Sequence, residues 1–157
     1  MDRFSIIKLS VFVCLVLCDS ASRWPAACPL RPLSAKNVRD SLPQLWMVTG
    51  VPTTVSCDNA SNLTSKVNHE FLKGLGCSLR FNTPGHPQSS GVVERILGTL
   101  NNMINKVAYD HSKQWHKYVG YILWSLREIP NETTGVAPWV MFFGHLPRGL
   151  LVVLKET

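Results

Sequence analysis

Two carboxylates, Asp58 and Glu94, stand with 35 residues between them. Asp58 follows the apolar run VPTTVSC within CDNASNLTS, and Glu94 enters a helical pattern within TPGHPQSSGVVERILGTL. Acids on separate elements can converge on a hard divalent cation, which prefers oxygen ligands. A cation so held polarises a phosphoryl oxygen and activates a water or hydroxyl for attack. The chemistry that suits this pair is phosphoryl transfer on nucleic acid. Polar residues surround both acids. Asn59 and Asn62 can bond the turn that presents Asp58, and they suit an ordinary turn equally well. His86, Gln88, Ser89 and Ser90 precede Glu94 as candidate backbone contacts or as plain surface-loop residues. Asn101 and Asn105 share a helical face with Glu94, while Arg95 and Lys106 suit phosphates or simple solvation.

The elements that must position these residues can be read from periodicity. Leu9–Cys18 is apolar and rich in β-branched residues, and reads as one or two central strands, with a hairpin as the second option. Pro25 and Pro29 confine the next segment to a short edge strand. Residues 34–50 read as a helix capped by Ser34, with Val38, Leu42 and Leu45 on one face, a kink at Pro43 and a stop at Gly50. Residues 51–57 form a buried strand with Asp58 at its carboxyl end, where α/β folds place their chemistry. A second helix over 65–76 turns Val67, Phe71, Leu72 and Leu75 inward, and a strand follows over 77–82. Residues 83–91, dense in Pro, Gly and Ser, read as a flexible loop whose Gly85 and Gly91 permit closure. The clearest helix starts at Val92 and carries a stripe of Val93, Ile96, Leu97, Leu100, Ile104 and Val107. A further helix spans about 113–129, and residues 146–157 read as a loose tail. The pattern is α/β, with helices covering a mixed sheet.

Bulk properties narrow the class. The 157 residues are 45% hydrophobic and 17% charged, which is globular rather than disordered composition. The formal charge of +6 favours a polyanionic partner without requiring one. Five cysteines show no CxxC spacing, which argues against structural zinc and for free thiols in a reducing compartment. The N-terminal segment, with Arg3 and Lys8 before the apolar run, superficially resembles a signal peptide, but that run is too short to span a bilayer. The sequons at Asn59 and Asn62 matter only on a secretory route.

Four segments in order carry a family resemblance: DSASRWPAACPL, GVPTTVSCDNASNLTS, FNTPGHPQSSGVVERILGTL and WHKYVGYILWSLREIPNETTGVAPWVMFFGHLPRG. Over residues 10–157 the chain resembles the integrase catalytic core of retroviral and gypsy-type retroelement polyproteins. The resemblance implies an N-terminally truncated ribonuclease-H-like fold, with a core domain over 1–145 and a tail over 146–157. It also implies a D, D-35-E triad binding Mg2+ or Mn2+, in which Asp58 is the second aspartate and Glu94 the glutamate. Asp2 is the acid available as the first, and the segment MDRFSIIKLS lacks the Gly-Pro connector of the family. Ala60 and Leu63 replace the glycine and phenylalanine of the DNG-x-x-F segment. If that turn needs positive φ, the alanine costs about 1 kcal/mol. Two functional expectations follow. One is a DNA-integration polynucleotidyl transferase core that performs metal-dependent strand transfer. The alternative is a catalytically inactive remnant that binds nucleic acid or dimerises, because the first acidic ligand is missing or displaced. The expected partners are DNA and a second copy, with Trp115 and Trp124 at the interface. No membrane and no small-molecule cofactor are expected, and the expected location is nucleus or cytoplasm. A secreted small protein is a third reading.

Overall fold

The computed structural model describes residues 2–8, 13–30, 32–57, 65–81, 87–111 and 114–149. Among these residues five strands, β1 (Asp2–Lys8), β2 (Val13–Asp19), β3 (Pro25–Leu30), β4 (Thr54–Cys57) and β5 (Ser78–Phe81), form one sheet in the order β3-β2-β1-β4-β5. The first three pair antiparallel, while β1–β4 and β4–β5 pair parallel. The sheet is therefore mixed and, with its helices on both faces, has the ribonuclease-H-like architecture.

The first strand corrects the sequence reading. A strand was expected no earlier than Leu9, yet Asp2–Lys8 pairs along its whole length with Val13–Asp19. The first strand, DRFSIIK, is interrupted by charged and polar residues and lies before the apolar stretch, so periodicity alone did not mark it. The prolines behave as expected: Pro25 and Pro29 lie on β3, an edge strand.

Both faces of β2 are buried. Leu15 and Leu17 pack with Val55 against α1 (Ala35–Trp46) and α2 (Lys66–Gly74) through Val38, Leu42 and Leu72. Cys14, Val16 and Cys18 pack against α3 (Pro87–Asp110), a 3-10 turn (Trp115–Lys117) and α4 (Val119–Glu128). Burial on both sides explains why β2 is uniformly apolar rather than alternating. The helix starts follow local rules. The Ser34 hydroxyl accepts the Asn37 N–H at 3.1 Å, and the Ser65 hydroxyl accepts the Asn68 N–H at 3.4 Å. A short α5 (Pro138–Phe143) begins on proline and ends at Gly144 with φ of 75°.

Four further expectations change. The anticipated loop over 83–91 is helical from Pro87 onward, because proline is preorganised for the first helical turn. The helix anticipated over 113–129 is broken into the 3-10 turn and α4. Leu75 is exposed, since α2 ends at Gly74 and Gly76 takes φ of 74°. The start of the tail is not loose, since Pro147 and Gly149 are buried. No described helix is long and apolar enough to cross a membrane.

Candidate active site

The sheet sets β1 and β4 side by side and parallel at its centre, and α3 packs against β1 and β2. The strands and the helix that carry the candidate acids are thus neighbours. β4 ends at Cys57, and the next residue in sequence is Asp58. Asp58, Asn59, Asn62 and His86 lie outside the described residues, as do Ala60 and Leu63.

Glu94 lies about two turns into α3 and is exposed. Its polar face is as expected: Arg95 and Asn105 are exposed, Asn101 is half-buried, and the Asn105 amide donates to Asn101 Oδ1 at 3.4 Å. Arg95 Nη1 stands 3.8 Å from the Glu132 carboxylate. Gln88 and Ser89 belong to the first turn of α3 rather than to a loop.

Register decides where Asp2 falls. Residues alternate between sheet faces along a strand, and partners in register share a face. The Asp2 position pairs with Val55 on one side and Asp19 on the other, and Phe4 pairs with Leu17. Val55 and Leu17 belong to the core beneath α1 and α2. The Asp2 position therefore belongs to the face opposite α3. The β1 positions on the α3 face are Arg3, Ser5 and Ile7, which pair with Cys18, Val16 and Cys14. Asp2 also stands two residues short of Phe4, the partner of Cys57 at the end of β4. Three carboxylates sharing two cations require their oxygens within a few ångströms of one another. Among the described residues, which do not include Asp58, no group of three His, Cys, Asp or Glu could hold a metal ion. Asp19 has a structural partner: its Oδ2 accepts the Ser22 N–H at 2.7 Å and the Ser22 hydroxyl at 2.6 Å.

This arrangement of sheet and helices has clear relatives. The chain matches a crystal structure of the catalytic core domain of BIV integrase with a TM-score of 0.76 and 20% identity, over 99% of this chain and 97% of that one. It matches a chain of the simian T-cell lymphotropic virus intasome in complex with PP2A regulatory subunit B56 gamma with a TM-score of 0.77 and 20% identity, covering 94% and 54%. In sequence it is 31% identical to the Gag-Pol polyprotein of walleye dermal sarcoma virus over 137 residues. It is 29% identical to the Pol polyprotein of feline endogenous virus ECE1 over 135 residues. Residues 26–108, more than half of the chain, match the family model of the TnsB C-terminal domain. The chain belongs to the TnsB C-terminal domain family, and it is homologous in sequence and fold to retroviral and retroelement integrase catalytic cores. It covers 83% of itself but only 8% of the walleye polyprotein, and 85% of itself against 13% of the feline one.

Within this integrase-type core, sequence reasoning missed two features. Trp24, Trp139, Phe142 and Phe143 form a ring cluster, with the Arg127 guanidinium 4.1 Å from the Trp24 ring centroid. Arg127 also donates from Nε and Nη2 to the Pro25 carbonyl at 3.1 and 2.8 Å. Burial lowers its pKa to about 10. A cavity of about 220 Å³ lies beside this cluster, lined by Arg23, Arg95 and residues of α4 and the loop after it. The aromatic residues, spread over two distant segments, left no periodic signal. The excess of basic residues was the sole hint of the arginines. Trp115, expected at a dimer interface, is fully buried against α3 and α4 and cannot serve there. Trp124 is 38% exposed.

Proposed function

We propose that this chain is an integrase-type core that binds DNA without cutting it. The observation that supports this reading is the register of β1, in which Asp2 pairs with Val55, a residue of the core beneath α1 and α2 rather than of the core beneath α3. Asp58 and Glu94 then supply two of the three carboxylates, enough for weak, largely water-mediated retention of one Mg2+ or Mn2+. The DNA lies along the polar face of α3, with Arg95, Asn101 and Asn105 as contacts, joined by Gln88 and Ser89 of its first turn and by His86 and Asn59, which lie outside the described residues. The net charge of +6 and the intasome likeness support a DNA partner. A homodimer forms through the aromatic surface around Trp124. Free thiols at Cys14, Cys18, Cys28 and Cys77 support a nuclear or cytoplasmic setting.

The spacing of Asp58 and Glu94 favours a second reading, a competent polynucleotidyl transferase in which Asp2 is the third ligand. Incubation of the chain with labelled duplex DNA and Mn2+ separates the two. The expected result is salt-sensitive binding with no nicks, and Glu94→Gln binds within about twofold of the parent or tighter, since a like charge leaves the surface. Metal-dependent nicks that vanish in both Glu94→Gln and Asp2→Asn would establish the active reading instead.

A further inference from the structure

The β2–β3 turn holds Arg23 at φ of 62°, the left-handed region, and it is the one non-glycine residue there among those described. Hydrogen bonds enforce the conformation: the Arg23 N–H donates to the Asp19 carbonyl at 3.0 Å, and the Asp19 N–H to the Trp24 carbonyl at 3.0 Å. Glycine or asparagine would take this position with less strain. Such outliers are retained where a side chain is needed at that spot. The Arg23 side chain lines the cavity of about 220 Å³. Its Nε is buried and has no hydrogen-bond partner among the described residues. A buried donor on a charged group is costly to leave unmatched.

Arg95 lines the same cavity, one residue from Glu94 on α3 and ion-paired to Glu132 at 3.8 Å. That pair is loose, with side chains 67% and 91% exposed, so a better oxyanion can displace the carboxylate. Pro25, Ile96 and Leu126 add apolar lining beside the guanidinium groups. Arginine's planar fork suits phosphate oxygens.

We propose that this cavity is a phosphate subsite for the nucleic-acid backbone, with the guanidinium groups of Arg23 and Arg95 as its donors. The subsite rests on the DNA-binding reading above, and it extends the DNA path from the α3 face across to the β2–β3 turn. The test is fluorescence anisotropy with a labelled random-sequence duplex over a KCl series, using the parent, Arg23→Gly, Arg23→Asn and Glu132→Gln. The turn variants relieve backbone strain, so both are expected to melt no lower than the parent, which separates lost binding from lost fold. They should bind several-fold more weakly, with the slope of log K against log [KCl] reduced by about one. Glu132→Gln, which removes the competing carboxylate, should bind more tightly. A parent that binds DNA while a stable Arg23 variant keeps its affinity and slope overturns the subsite alone. A parent that does not bind the duplex at low salt overturns the DNA reading itself.

Discussion

Burial pushes the Cys14 thiol from its ordinary 9.0 up to about 12, and the nearby Cys28 adds to the shift. The folded pKa lies above the unfolded one, so the stabilising contribution is complete below about pH 9 and is lost as pH rises towards 12. The urea midpoint of the parent should fall across that alkaline window more steeply than that of Cys14→Ala. Parallel pH profiles for the two proteins would remove Cys14 from the account. At neutral pH the thiol stays protonated, and alkylation of the native chain should spare it. The sequence pointed to buried free thiols through their apolar neighbours. It did not show that Cys14 and Cys28 lie on opposite faces of adjacent strands, which follows from Cys28 pairing with Leu15. Glu94 was legible as an exposed acid on a polar helical face because that face repeats at helical spacing over Asn101 and Asn105.

At the scale of elements, α1 shows how far local rules reach. Its start at Ser34 and its buried stripe of Val38, Leu42 and Leu45 follow from the cap and the period. Pro43 sits inside the helix without ending it, because Leu42, Leu45 and Trp46 are anchored in the core on either side. Proline forfeits one helical hydrogen bond, and its own side chain is exposed. Pro43→Ala should therefore stabilise the chain by about 1–3 kcal/mol, read from chemical denaturation. A loss of stability would show that the proline shapes the path of the helix in a way the core depends on. α3 illustrates the reverse case. Its first turn is rich in Ser and Gly and reads as loop, yet it is helical from Pro87, continuous with a stripe that is firmly packed from Leu97 to Ile104.

Across the whole molecule, the aromatic surface is the part most ready to meet another copy. Trp124 touches Trp139 at 5.5 Å between ring centroids, Trp139 touches Phe143 at 4.9 Å, and Tyr121, Met141 and Leu146 are exposed on the same helices and the segment after them. Trp124→Glu should leave a folded monomer where the parent is a dimer by light scattering, since a buried charge without a partner opposes association. A parent that is monomeric at all accessible concentrations would remove the dimer.

The sequence by itself determined the helices that have caps and apolar stripes, the edge character of the proline-bearing strand, and the order of the two acids that bracket 35 residues. These are local properties, set by spacing along a few turns or one strand. Only the tertiary structure decided that Asp2–Lys8 is a strand, that Trp115 is core while Trp124 is surface, and that Arg23 and Arg95 line one cavity. It alone decided the face to which Asp2 belongs. The physical reason is that register is a pairing between distant segments, and a shift of one residue turns every side chain of a strand to the other side of the sheet. No pattern within MDRFSIIKLS encodes that choice; the partners Val55, Leu17 and Asp19 do.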